Sequence, residues 1–346
     1  MATETVLDLP QPFTPRDAAH ARVTRGQLVQ ARKLGTVDRL ARGLYAVGPR
    51  WESLSPEARH EGLAHAAHRN VAGAVLSHHS AALLWGLPVP RRAQSRAALT
   101  VLADRRTSVA ASWVHLYRAT LRDEDVTALD GQRLTSPHRT VLDCLRSLAP
   151  GDGVAVGDAA LRAGLVSGDG LAEVLHTQRG WPGARRAALW IPRLDGRRET
   201  WLESYSVVTL SRFGIEPPEP QVEVYDDHGL IGRVDGLWLT EGVVGEADGA
   251  GKYLGDFDPD GADGEAAAKR VVREKVREDR LRGVGLEVVR WMTDEIIRAP
   301  QVVASRVLAA QRRGDPSRFR GRVRLAPHPT PLCASSARVE RRVSEF

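Results

Sequence analysis

Apolar positions change their period several times along the chain, and the changes outline its elements. Thr14-Pro15-Arg16-Asp17 reads as an N-cap, a proline at N1 and an acid at N3, residue types suited to the free N–H groups of a first helical turn. Thr24-Arg25-Gly26-Gln27 repeats the signal as a capping box, and the helix it opens carries Leu28, Val29 and Ala31 up to Gly35, a C′ residue. TVDRLARGLYAVG then alternates about Arg42-Gly43, as a short hairpin does. Two short helices followed by a hairpin predict a winged helix-turn-helix over residues 10–50. Its second helix presents Arg25, Gln30, Arg32 and Lys33 to a DNA groove, and the hairpin adds Arg39 and Arg42.

Residues 51–192 read as a mixed α/β region. Ser55-Pro56-Glu57 opens a helix, LSHHSAALLWG (76–86) forms another closed by Gly86, and 98–103 and 113–119 read as strands. Ser136-Pro137 opens a helix that ends at Pro150, and two or three short helices follow to 190, broken at Gly168 and Gly180-Trp181-Pro182. RLDGRR (193–198) reads as a linker. Beyond it the pattern gives a helix over 199–212, strands at 222–225, 230–239 and 243–248, a long helix over 265–282, a strand at 286–292 and a last helix interrupted near Pro300. The three prolines of IEPPEPQ (215–221) exclude a helix between the first two of these. The expected class is α+β multidomain: a winged helix-turn-helix, a connector domain over 51–192, an αβββαβ domain over 199–312, and an Arg-rich, disordered tail over 313–346.

Charge sharpens this picture. The net charge is +6, but residues 16–50 alone carry eight Arg/Lys against two acids, and 312–346 carry nine Arg against three. Residues 235–265 hold nine acids and one lysine. A basic block apart from an acidic one fits a duplex-binding element beside a metal-binding or acidic loop region. Of the 49 basic residues only four are lysine, and Lys252, Lys269 and Lys275 fall close together, where a compact ammonium has a use that arginine does not serve. Mean hydropathy is −0.29 and no apolar run reaches the length of a membrane span, so no membrane partner is expected. The N-terminus has no apolar secretion segment, and Cys144 and Cys333 form no CxxC; together these point to a reducing cytoplasm.

The candidate chemistry lies in the acidic stretch. A strand over 230–239 sets Arg233 and Asp235 on one face, and the next strand does the same for Glu246 and Asp248. A turn at Thr240-Glu241 pairs Asp235 with Glu246; a turn at Glu241-Gly242 pairs it with Asp248. Either register puts all three carboxylates on one face. Such a cluster needs a cation, and Mg²⁺ held by Asp235 and Glu246 suits phosphodiester hydrolysis. Glu203 is placed to assist, and Lys252 to polarise water. The alternative is a solvated acidic hairpin with Arg233 as its counterion. His60-Glu61 and His65 miss the HExxH spacing, and His78-His79 reads as a surface or capping pair.

Two resemblances attach to these residues. VTRGQLVQARKLGTVDRLARGLYAVG, AVLSHHSAALLWGLP and LDGQRLTSPHRTVLDCLRSL, within residues 10–190, resemble successive blocks of AbiEi-family antitoxin-like proteins. That resemblance implies an N-terminal winged helix-turn-helix, transcriptional autorepression and a cognate toxin. ETWLESYSVVTLSRFGIEPPEPQVEV, GRVDGLWL, VVGEADGAGKY and REKVREDRLRGVGLEVVRW resemble the Vsr-like branch of the PD-(D/E)xK nucleases, with a restriction-endonuclease-like core. It implies Glu203, Asp235 and Glu246 as the acidic set, with Asp248 standing where that family has its catalytic lysine; Lys252 or Lys275 is then the available substitute. The expected function is a DNA-binding protein with a Mg²⁺-dependent endonuclease domain. The alternatives are a non-catalytic antitoxin or repressor with an inactive nuclease-like domain, and a defence protein acting on RNA.

Overall fold

The computed structural model describes residues 6–104, 111–249 and 264–328, with side-chain surroundings in the last segment from 272 onward. The chain is α+β and divides into two compact units, residues 1–148 with 166–191, and residues 149–165 with 192–346. Among the described residues no helix is long and apolar enough to cross a membrane.

The first unit begins with α1 (Pro15–His20), α2 (Arg25–Lys33), β1 (Val37–Ala41) and β2 (Leu44–Val47). Both capping boxes form. The Thr14 N–H donates to Asp17 Oδ2 at 2.8 Å and the Thr24 N–H to Gln27 Oε1 at 2.7 Å, and each threonine hydroxyl accepts the N–H in return. Gly43, at φ +75°, closes the two-residue turn between β1 and β2. Phe13 exchanges two 2.9 Å backbone bonds with Tyr45, which ties the hairpin to the helices. Val6, Leu9, Phe13, Ala18, Val23, Leu28, Ala31 and Val37 form the core beneath.

Next come α3 (Gly48–Glu52), α4 (Pro56–Asn70), β3 (Val75–Leu76), α5 (His78–Leu84), β4 (Ala97–Leu102), β5 (Val114–Ala119), β6 (Val126–Leu129), β7 (Gln132–Thr135) and α6 (Pro137–Ser147). The helix α7 (Pro150–Arg162) belongs to the second unit, while α8 (Gly168–Thr177) and α9 (Ala184–Trp190) return to the first. The sheet order is β5-β4-β3-β7-β6, with β4–β5 and β3–β7 parallel.

His78 and His79 are not a surface pair: they are buried with His60. His60 Nδ1 donates to the Gln94 carbonyl at 2.8 Å, so in the neutral ring Nε2 accepts from the Ser80 hydroxyl at 2.9 Å. His79 Nε2 donates to the Arg96 carbonyl at 2.9 Å. His78 sits at φ +52°, stacks on Tyr117 with centroids 3.5 Å apart, and has Nδ1 2.9 Å from the Ser77 hydroxyl. Backbone carbonyls and hydroxyls that accept or donate locally let these rings go inside uncharged.

The second unit holds α7, α10 (Trp201–Ser211), β8 (Glu219–Asp226), β9 (Gly229–Trp238), β10 (Val243–Asp248), α11 (Gly264–Gly283), β11 (Glu287–Met292), α12 (Thr293–Arg298), α13 (Pro300–Arg313) and β12 (Arg322–Arg324). From α10 to α13 this is the order expected from periodicity. The sheet runs β11-β10-β9-β8-β12, antiparallel except for β10–β11. One face packs Leu202 and Leu210 of α10 and Val303 and Val307 of α13 against Trp238, Ala247 and Trp291. The other packs Leu281 of α11 against Val222, Val224, Leu237 and Val244.

Two expectations change here. Residues 193–198 are not a bare linker: Arg198 is 4% exposed and pairs with Asp158 at 2.8 Å, and Arg197 pairs with Asp195 at 2.7 Å. The start of the expected disordered tail is also ordered. β12 adds to the sheet edge beside β8, because alternating Arg322-Val323-Arg324 lays Val323 against the core while Arg324 reaches Glu223 at 2.6 Å. Residues 329–346, with Cys333, lie outside the described residues.

Burial lowers the pKa of His60, His78 and His79 from the ordinary 6.5, and holds His79 at about 4. An unfolded chain takes those protons near 6.5 while the folded chain refuses them. Stability should therefore be level above about pH 7 and fall as pH drops from about 6.5 towards 4, by on the order of 3 kcal/mol from His79 alone. Urea midpoints across that range check this, and His79→Gln should flatten the curve; a wild-type midpoint that does not move refutes it.

Candidate functional site

Two clusters bear chemistry, one in each unit. In the first, Arg25, Gln30, Arg32 and Lys33 on α2, Arg39 on β1 and Arg42 in the turn are all exposed. Leu28 and Ala31 anchor the opposite side of α2 in the core, and the 100° step between residues then turns the whole polar arc outward. Val29 and Leu34 share the exposed side of the helix and its end, at 43% and 65% exposure. The Arg32 Cζ lies 5.9 Å over the Tyr45 ring, and Arg39 Nε donates to the Ala41 carbonyl at 3.3 Å. Asp17, one of the two acids in this block, is bound into the α1 cap and pairs with Arg69 at 3.3 Å.

The second cluster surrounds the β9–β10 pair. The ladder runs Val243–Trp238, Val244–Leu237 and Gly245–Gly236, so the next step sets Asp235 against Glu246, the first of the two registers expected. The carboxylates nevertheless do not share a face. Val234 and Leu237 both point into the α11-side core although they are three residues apart, so β9 breaks strict alternation at 235–236. Asp235 instead lines a small, mostly apolar cleft under α10 with Arg198, Glu203, Ser206, Trp238 and Trp291. Its Oδ2 accepts the Ala247 N–H at 2.9 Å, replacing a ladder bond where the strands part. Gly245 is required at this point, because a Cβ there would stand 2.8 Å from Trp238 and 2.9 Å from Trp291.

Glu203 caps its own helix. It accepts the Thr200 N–H at 3.1 Å and the Glu199 N–H at 3.0 Å, and Gln221 Nε2 donates to it at 2.9 Å. Burial raises its pKa, and the nearby Asp235 charge adds to the shift. Glu246 and Asp248 face the α11 side. Arg277 Nη2 lies 3.0 Å from Glu246 and 2.7 Å from Glu274. Arg290 bonds Glu274 and lies 3.6 Å from Asp248 and 3.4 Å from Glu278. Burial pushes Glu246 up to about 7, with Arg277 opposing and Asp235 adding to the shift. Burial also opposes ionisation of Glu274, yet hydrogen bonds from Arg277 and Arg290 hold it at about 2.

Arg233, the expected internal counterion, pairs with Glu199 at 2.8 Å on the surface; Arg277 and Arg290 take that role. Neither was singled out from the sequence, where REKVREDR belongs to the expected long helix over 265–282. The available signal was one arginine in the otherwise apolar run VVRWM. Lys252 lies outside the described residues, as do the surroundings of Lys269, while Lys275 is exposed on α11. Among the described residues no group of three or more His, Cys, Asp or Glu stands where it could hold a metal ion. Asp235 and Glu246, the expected Mg²⁺ ligands, lie on opposite sides of the sheet, and Arg277 pairs with the latter.

No family model matches the chain. It is 26% identical over 179 residues to an uncharacterized protein of Mycobacterium tuberculosis, found alike in strains CDC 1551 / Oshkosh and ATCC 25618 / H37Rv. The match takes in 52% of this chain and 62% of each relative, so the chain spans less than two thirds of the relatives' length.

Removing Arg277 should strand a buried carboxylate. Because its folded pKa lies above the unfolded value, Glu246 favours the fold below about 4.5 and loses that contribution as pH rises through 7. Arg277→Met should therefore cost about 3 kcal/mol at alkaline pH and clearly less at pH 5.5, where Glu246 carries a proton. Chemical denaturation at the two pH values decides it, and an equal loss at both counts against the Arg277–Glu246 coupling.

Proposed function

We propose that this chain is a DNA-binding regulator: α2 and the β1–β2 hairpin act as a winged helix-turn-helix on duplex DNA, and the second unit is a restriction-endonuclease-like fold that does not cut. The exposed face of α2 carries this reading. Arginine and lysine side chains there surround bare Val29 and Leu34, and a groove offers both phosphates and apolar base edges to such a face. The AbiEi-like blocks in the same unit agree with it and add a cognate toxin as a second partner.

The case against cutting is chemical. In the Vsr-like pattern a lysine beside the strand carboxylates polarises the attacking water. Here Asp248 holds that place, with Arg290 beside it and Arg277 on Glu246. A guanidinium neutralises carboxylates but keeps its proton at any working pH, so it does not act as a base. A Mg²⁺-dependent endonuclease is the second reading. It is favoured by the approach of Glu203, Asp235 and Glu246, close enough for the Asp235 charge to shift both glutamates. In that case the metal would sit on Asp235 and Glu246, and Lys252 would supply the missing ammonium.

Duplex binding should be steeply salt-dependent. Arg25→Ala and Lys33→Ala should each weaken it and lower the slope of log affinity against log salt by about one. Titration of Mg²⁺ or Mn²⁺ by calorimetry, with plasmid nicking on the same samples, separates the two readings. Binding without nicking supports the regulator. Nicking that disappears in Asp235→Ala establishes the nuclease instead.

A further inference from the structure

The basic face also contains a difference between its arginines, and this inference rests on the duplex-binding reading. We propose that Arg32 reads a guanine in the groove and that Tyr45 is the positioning residue that aims it. Arg32 is exposed, and its Cζ lies 5.9 Å over the Tyr45 ring. Tyr45 is itself fixed from three sides. Its N–H and carbonyl both bond to Phe13 at 2.9 Å, its cross-strand partner is Arg39, and the Phe13 ring stacks on it with centroids 6.1 Å apart. Phe13 is fully buried, so the ring that Arg32 overlies is anchored to the core.

The two kinds of DNA contact make different demands. A phosphate accepts a cation from many directions, and a mobile side chain satisfies it. Guanine presents O6 and N7 side by side and is read by a planar fork arriving edge-on, which is arginine's geometry and not lysine's. A fork parked on an aromatic face has already lost much of the freedom that binding would otherwise remove. Arg32 meets that demand. Lys33 beside it, a point charge on a flexible stem, suits a phosphate. The substrate class is therefore duplex DNA with a G·C pair at one fixed position of the site.

Selection from a pool of short random duplexes, using the full chain, tests this. Wild type should enrich a G·C pair at one position, and Arg32→Lys should erase that preference by about tenfold or more while still binding. Tyr45→Phe, which keeps the ring, should preserve it. Tyr45→Leu should relax it without altering the salt dependence of binding, a change that a purely structural role would not produce. The same guanine selected by Arg32→Lys, or by a folded Tyr45→Leu, overturns the proposal. Arg32 is on the surface, so its variant remains decisive if Tyr45→Leu does not fold. Duplex binding with no base preference sinks this inference alone, whereas no duplex binding at low salt sinks the reading beneath it.

Discussion

Both units depend on arginine forks reaching carboxylates that would otherwise be untenable inside. Asp143 and Asp158 are buried, and burial drives both pKa values upward. Arg139, itself 1% exposed, bonds Asp143 at 2.9 Å and Asp125 at 3.2 Å, while Arg146 approaches Asp143 at 2.8 Å from another side. Arg198 does the same for Asp158 and Arg277 for Glu246. One ammonium could not span two carboxylates with directed bonds as Arg139 does. Such pairs add little net stability against an apolar replacement, but losing one partner is severe, so they fix where elements sit more than how tightly they hold. The scarcity of lysine then has a structural side as well as a compositional one.

Local rules made most of the fold legible. Threonine caps, prolines at N1 and glycines after helices act over three or four residues, and the elements they imply at Thr14, Thr24, Gly35 and Gly214 are all present. Contacts between distant residues were not legible. His78 and His79 look like a polar pair opening a helix, and nothing within four residues announces that the Tyr117 ring and the Arg96 carbonyl will receive them. Arg198 reads as linker for the same reason, since Asp158 lies 40 positions away from it. The Arg-rich stretch after 313 misled because composition is silent on an edge strand as short as 322–324.

The acidic site was half legible. Its register followed from the turn, with Gly236 paired to Gly245 one step before Asp235. Its face did not, because parity arguments assume unbroken alternation and β9 breaks it where Asp235 takes the Ala247 N–H. The result separates four carboxylates across the sheet: Glu203 and Asp235 under α10, Glu246 and Asp248 under α11. The Asp235 charge still raises the pKa of Glu203 and Glu246, and each carboxylate is answered by a cap, a backbone N–H or a guanidinium.

This also decides where the molecule has positive charge to offer a polyanion. The arginines at 139, 146, 198, 277 and 290 are committed to internal acids, so their contribution to the net +6 is not available at the surface. In residues 16–50 the balance is reversed: eight cations face two acids, and Asp17 is already bound into a helix cap and to Arg69. A phosphate approaching α2 meets side chains that need displace no carboxylate of their own. One approaching Arg277 and Arg290 must displace the carboxylates already paired with them. The same residue type thus serves as cement inside both units and stands open to solvent on α2 of the first, and burial, not sequence motif, draws the line between the two.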